Sequence, residues 1–360
     1  RALRCQSLGF AGCVLTKIVH HSAMDKQLIH GVTVNRLRRV FNGFPFSIPA
    51  YYVSVAARNL GARKERWARE RVEGKKYPEI LIWDSPNFDD PRAGLIAKVG
   101  SSGELTELIQ SEPANGMLLC DGRVLSAQHD AMQSYSSDLQ QSQIFASFPV
   151  WNDLHTLRES PKGILVTSSG TDSITEISRD GKQILWLWWA GEHGYTTDSF
   201  GKKRTLDRQL DHRHFLYNTW LRTTHVNSAQ PLSDGSVLAS FFHQGILGCI
   251  NRETGTVTTI VADLKRPHAA RISDGKVSFA DTGRGIAYLG TLKGDRFVTE
   301  NSVQIETNWL QDAQFVNGMW FLADAQHARI YFANKGGEVL AYDQFDPEWD
   351  FFEVLPYRED

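Results

Sequence analysis

LRTTHVNSAQPLSDGSVLASFFHQGILGCI, residues 221 to 250, carries a pattern that recurs before and after it in the chain. A polar start with His225 leads into a short strand, the turn Ser233-Asp234-Gly235 and a second, apolar strand from Ser236 to Phe242. A polar corner, His243-Gln244-Gly245, precedes a third strand from Ile246 to Asn251, the turn Glu253-Thr254-Gly255 and a fourth strand from Thr256 to Val261. Four short strands joined by glycine-bearing tight turns form a meander, and a repeated meander is a β-propeller.

The same template fits Asn152 to Trp188, opened by His155, and Lys265 to Val298, opened by His268. A further copy runs from Trp309 to Tyr342 with Gln311 in the opening slot. Counted back from the first turn glycines Gly163, Gly235, Gly275 and Gly318, the opening residues lie eight, ten, seven and seven positions upstream. Another blade is expected from Pro113 to Phe148, opening near Asn115 and turning at Asp121-Gly122, with Gln133 to Ser142 as an insertion. The sixth is expected from Tyr51 to Gln110, with strands near Tyr52 to Ala57, Glu79 to Trp83, Gly94 to Val99 and Glu104 to Ile109. The fold class is therefore all-β, a six-bladed β-propeller over residues 49–360. Residues 1–48 fit the repeat poorly, with a strand expected at Ala11 to Val19 and a short helix or strand at Val32 to Phe41. The charged run Arg63 to Lys76 reads as a solvated helix or long hairpin.

The chain has 360 residues, 39 basic against 41 acidic for a net charge of −2, 41% hydrophobic and 22% charged residues. That balance gives no electrostatic reason to expect nucleic acid or a membrane surface as a partner. No apolar run approaches the roughly 20 residues that span a bilayer, so a soluble protein of undetermined compartment is expected. Cys5, Cys13, Cys120 and Cys249 show no C-x-x-C spacing, so they imply neither a disulfide framework nor a zinc site.

One departure from regularity is long: residues 190–223 separate two blades and carry His193, Tyr195, Tyr217 and Trp220. Long loops inside compact domains are usually functional or disordered, and the aromatics favour an ordered lid over the channel.

The innermost strand of each blade begins at one face of the channel, and the corner between the second and third strands returns to that face. The opening set is Asn115, His155, His225, His268 and Gln311; the corner set is His129, Ser169, His243, Asp281, Arg284, Asp324 and His327. Three histidines at one repeat position suit a divalent transition metal, Fe, Zn, Cu, Ni or Mn, with Gln311 as a weak fourth ligand or orienter. Arg284, His243, Asp281, Asp324 and His327 are the expected catalytic residues, with Asp281 and Asp324 placed to receive ring N–H groups. A metal there would act as a Lewis acid, generate hydroxide or bind dioxygen.

The unit HTLRESPKGILVTSSGTDSITEISRDGKQILWLW resembles the repeat of arylsulfotransferase-type propellers, and HVNSAQPLSDGSVLASFF is similar to it. HAARISDGKVSFADTGRG resembles strictosidine-synthase and NHL-like six-bladed propellers. The arylsulfotransferase resemblance implies transfer through a sulfurylated channel histidine, with His155, His225 and His268 as candidates and Arg284 holding the sulfuryl oxygens. Ser169-Gly170 and Phe241-Phe242-His243 stand where that family has an S-x-R corner. Related propeller lyases and hydrolases instead imply a channel-bound divalent cation. The expectation is a metal-dependent lyase, hydrolase or oxygenase acting on a small molecule. Histidine-mediated group transfer is the first alternative. The second is a non-catalytic interaction propeller presenting the aromatic-acidic tail Phe345 to Asp360.

Overall fold

In the computed structural model, which describes residues 27–29, 32–34, 37–73, 80–83 and 93–357, six antiparallel sheets surround a central channel. Blade 2 consists of Met117–Cys120, Arg123–Ala127, Met132–Ser136 and Ser142–Ala146 from the channel outward, and blade 3 of Leu154–Glu159, Gly163–Ser168, Ser173–Ser178 and Ile184–Trp189. Blade 4 is Val226–Pro231, Val237–Phe241, Ile246–Ile250 and Val257–Val261, and blade 5 is Pro267–Ser273, Lys276–Asp281, Ile286–Lys293 and Arg296–Gln304. The second strands of blades 3 and 4 are buried along their whole length. That explains why they read as continuous apolar runs: neighbouring blades cover both of their faces.

The hairpins joining first and second strands lie where the turn glycines predicted them. Asp121-Gly122, Asp274-Gly275 and Asn317-Gly318 all have positive φ at both positions, the I′ geometry whose twist matches the flanking strands.

Blade 1 departs from expectation. Its innermost strand is the C-terminal Asp350–Pro356, followed by Tyr51–Ala57, Gly94–Val99 and Leu105–Ser111. Ile80–Ile82 is not one of its strands but pairs with Phe215–Tyr217. The tail that would face a partner in the interaction-propeller alternative is, over its described residues, a core element, with Phe351 and Val354 buried. Laying the last strand beside the first closes the ring with ladder hydrogen bonds, which removes the two edges an open arrangement would expose.

Blade 6, Leu310–Val316, Met319–Asp324, Arg329–Asn334 and Val339–Gln344, gains a fifth strand, Arg38–Phe41. The Arg39 guanidinium donates to both oxygens of Asp343 at 2.7 Å, and the Tyr51 hydroxyl donates to the same carboxylate at 2.6 Å. The propeller therefore begins before residue 49. The expected strand at Ala11 to Val19 lies outside the described residues. The expected insertion at Gln133 to Ser142 is instead the third strand and outer hairpin of blade 2. Among the described residues no helix is long and apolar enough to cross a membrane.

Candidate active site

The inner strands of blades 1 to 6 and the residues leading into them bring Phe352, Asn115, His155, His225, His268 and Gln311 to the wall of one cavity of ≈ 690 Å³. Bulges in five of these strands fall at that level: Phe351/Glu353, Leu154/Leu157, Val226/Ser228, His268/Arg271 and Leu310/Asp312. A bulge re-aims the side chains around it. Two members of the ring are engaged by the protein itself. Asn115 Nδ2 donates to the Leu154 carbonyl at 2.5 Å, and Gln311 Oε1 accepts from the Trp309 indole at 2.8 Å.

The histidines are held differently from one another. Nδ1 of His155 lies 3.0 Å from the carbonyl of Asp153, and Nδ1 of His268 lies 3.0 Å from the carbonyl of Arg266. A carbonyl only accepts, so both rings carry their proton on Nδ1 and leave the Nε2 lone pair available. Asp153 and Arg266 each sit two residues before their histidine with φ of 52° and 60°. Non-glycine residues adopt that left-handed region at a cost, most of all Arg266. His225 is the reverse case: its Nδ1 lies 3.1 Å from Nη1 of Arg222. A guanidinium only donates, so the His225 proton belongs on Nε2.

Arg222 is fixed by Asp153 at 2.6 Å and by the Tyr217 carbonyl at 2.9 Å. The segment carrying both Arg222 and His225 is pinned by the buried Asp172, which accepts the backbone N–H groups of Thr223, Thr224 and His225 and pairs with Arg204 at 2.6 Å. Shortening residues 201–214, which would only uncover the cavity if they formed a loose flap, would therefore also remove a buried ion pair.

All three rings are neutral at physiological pH. Burial brings His155 down to about 4 and His268 to about 3. Burial and then Arg222 hold His225 well below its ordinary value. Burial opposes the charge on Asp153, but the Arg222 guanidinium outweighs it and keeps the carboxylate ionised.

This arrangement does not form the expected tri-histidine cluster. His155 and His225 meet edge to face at 4.9 Å, while the Phe242 ring packs against both His225, at 4.8 Å, and His268, at 5.5 Å. His225 offers a donor where a metal needs a lone pair. Among the described residues no three His, Cys, Asp or Glu side chains form a group that could hold a metal ion. Gln311, the expected fourth ligand, has its oxygen occupied by Trp309.

The five expected catalytic residues lie outside the cavity lining. Asp281 accepts from the Lys265 N–H and pairs with Arg284, which is half exposed. Asp324 binds the Thr307 hydroxyl and His327 Nδ1. These carboxylates close the corners of blades 5 and 6, a need that a reading based on convergence alone cannot separate from catalysis. His243 donates Nε2–H to the Thr219 carbonyl, as His129 does to that of Phe215. The two corner histidines thus tie residues 215–219, of which Leu216, Tyr217 and Thr219 line the cavity, to the corners of blades 2 and 4.

Residues missed by the sequence reading complete the site. The helix Leu60–Glu73, read as solvated, lines the cavity with Arg63, Trp67 and Arg71, and the Trp67 ring packs at a tilt against Trp309 at 5.3 Å. The residue two positions before each of His155 and His268 was the available signal for Asp153 and Arg266. Nothing local marked Arg222 or the docking of the helix.

No family model matches the sequence, and no curated protein matches it. Solved structures share its fold. A protein of unknown function from Bacteroides caccae is 14% identical with a TM-score of 0.55, over 78% of this chain and 98% of that one. A chain of the nidogen/laminin complex is 8% identical with a TM-score of 0.54, over 85% and 97%. A virginiamycin B lyase from Staphylococcus aureus, solved with quinupristin, aligns at 12% identity and a TM-score of 0.47 over 77% and 99%, too distant to bear on this chain. What the chain shares with the first two is the β-propeller architecture.

Proposed function

We propose that the channel cavity is the active site of an enzyme that moves a proton on a small organic molecule. His155 and His268 are its proton acceptors, and His225 and Arg222 donate hydrogen bonds to the group that gains charge. The observation that carries this reading is the matched buttressing of His155 and His268. In two blades a left-handed residue spends backbone energy to fix one imidazole tautomer with its basic nitrogen unpaired. Structural histidines have no need of that. A general base contributes roughly 10²–10⁴-fold to rate when its pKa lies near the working pH; burial holds His155 and His268 below that range in the free protein, so the negative charge of a bound substrate must raise them. Directly beneath the histidines the channel is filled by buried ion pairs among Arg158, Glu353, Arg271 and Asp312, so substrate enters from the side of the helix and residues 215–222.

The test is incubation in D2O with a panel of small organic acids, esters and lactones, followed by mass spectrometry for deuterium uptake or new products. The wild-type protein is expected to act on at least one compound. His155→Gln and His268→Gln should each slow it by about 100-fold or more, and Arg284→Gln should leave it unchanged. A His155→Gln/His268→Gln protein as active as wild type overturns the proposal. So does a stoichiometric first-row metal whose removal abolishes turnover, since a shared ion would require His225 to release Arg222 and Phe242 to move aside.

A further inference from the structure

The wall of the cavity carries positive charge that its described residues do not neutralise. Among them, Arg63, Arg69, Arg71, Arg222 and Arg266 face one carboxylate, Asp153. Arg222 takes that carboxylate, and Arg63 is paired with Asp350 at 2.7 Å. Arg71 and Arg266 have neither a carboxylate nor a hydrogen-bond acceptor for their guanidinium groups among the described residues. Both instead lie over the ring of Trp220, at 5.2 and 5.6 Å, and Arg266 also lies 5.4 Å from the centre of Trp309.

Two like charges converging on one indole repel each other, and Arg266 is half-buried in a left-handed backbone conformation. Burial and then Arg71 push its pKa down. An anion between the two guanidinium groups would relieve the repulsion, and oxyanions are the ligands that guanidinium forks bind best. The whole chain carries a net charge of −2, so this basic concentration is local to the cavity.

Resting on the reading of the cavity as a small-molecule site, we propose that its ligand is an organic oxyanion with a flat apolar portion. The carboxylate, sulfate or phosphate group sits between Arg71 and Arg266, and the apolar portion lies among Trp220, Trp309, Phe242 and Phe352. The Arg266 carbonyl also fixes His268, whose ring is 6.2 Å from that of Trp309. The anion is thereby placed beside a base, and its field raises the basicity of His268 in the complex above that in the free protein.

Two fluorescent probes that differ by a single charged group test the proposal: 8-anilinonaphthalene-1-sulfonate and the uncharged N-phenyl-1-naphthylamine. The sulfonate is expected to bind folded protein one to one, about tenfold or more tighter than the neutral probe. Added sodium chloride should weaken the sulfonate and not the neutral probe, a readout that needs no variant. Arg71→Gln/Arg266→Gln should abolish the preference at an unchanged melting temperature, while Arg284→Gln should keep it. If the double variant melts early, Arg71→Gln alone, at an exposed helix position, should remove part of the preference. Competition by inorganic phosphate or by benzoate shows which oxyanion the pair favours. Equal, salt-independent binding of the two probes refutes the oxyanion subsite and leaves the small-molecule cavity standing. Binding of neither probe refutes the cavity reading itself, and the oxyanion subsite with it.

Discussion

Two layers of the channel, one directly beneath the other, are built by the same inner strands and treat their polar groups in opposite ways. In the lower layer Arg271 pairs with Asp312 at 2.5 Å and Glu353 at 2.9 Å, and Arg158 reaches Glu353 at 2.8 Å. The remaining carboxylate oxygens accept the backbone N–H groups of Met117 and Val354. Two cations and two anions from blades 1, 3, 5 and 6 thus balance in charge in a buried cluster, although Arg158 Nε and Nη2 and Arg271 Nε find no hydrogen-bond acceptor. In the upper layer three neutral histidines sit beside the Arg222–Asp153 ion pair, and the Nε2 atoms of His155 and His268 are left unpaired. Compensation tends to mark a structural layer, and a fixed but unpaired basic atom marks a working one. Three residues along a strand separate His155 from Arg158, and His268 from Arg271.

The largest effect should come from breaking the compensation below. Glu353→Gln leaves Arg158 and Arg271 facing one carboxylate, and denaturant unfolding should show a loss of about 3–5 kcal/mol. A loss below about 1 kcal/mol would mean that the cluster does not act as a unit. In the upper layer, His155→Gln at pH 7.5 should change stability by no more than about 1 kcal/mol.

Acid should separate the layers further. The folded-state values of His155 and His268, about 4 and about 3, lie below the unfolded value near 6.5. Between those limits the unfolded chain binds the extra protons, so stability falls as pH falls, by about 1.4 kcal/mol per pH unit for each such ring. The lower layer has the opposite sign. Burial first, with Glu353 adding and Arg271 opposing, raises Asp312 to about 6, so its contribution is greatest below the unfolded carboxylate value and is lost as pH rises through about 6. His155→Gln should therefore flatten the acid slope of unfolding between pH 6 and 4.5, and Asp312→Asn should steepen it. Unchanged slopes in both variants would contradict the contrast.

How much of this was legible in the sequence follows from what each feature depends on. The blades were readable because Asp121-Gly122, Asp274-Gly275 and Asn317-Gly318 specify their turns locally, and the apolar runs between them specify strands. The convergence of Asn115, His155, His225, His268 and Gln311 followed from the repeat. What the histidines do there did not, because it depends on bulges, on left-handed φ angles at Asp153 and Arg266, and on an arginine from the 190–223 segment. The corner residues Asp281, Arg284, Asp324 and His327 were misread because a corner that must satisfy backbone N–H groups uses the same polar residues as a catalytic site. Phe345 to Asp360 was misread because ring closure pairs residues some 300 positions apart, as Asp350 pairs with Ala57.

The smallest effect should be at Arg284, half exposed and paired with Asp281 on the outer corner of blade 5. Arg284→Gln should cost less than about 1 kcal/mol, as exposed ion pairs do. A larger loss would show that the corner contributes more to stability than its exposure suggests.

The histidine tautomers are read directly by long-range proton–nitrogen correlation NMR of 15N-histidine-labelled protein, with His155→Gln, His225→Gln and His268→Gln assigning the signals. His155 and His268 are predicted to be neutral Nδ1–H rings from pH 8 down to pH 5, and His225 a neutral Nε2–H ring. Finding His155 or His268 protonated at pH 7, or carrying its proton on Nε2, would contradict the claim that both present a basic nitrogen to the cavity.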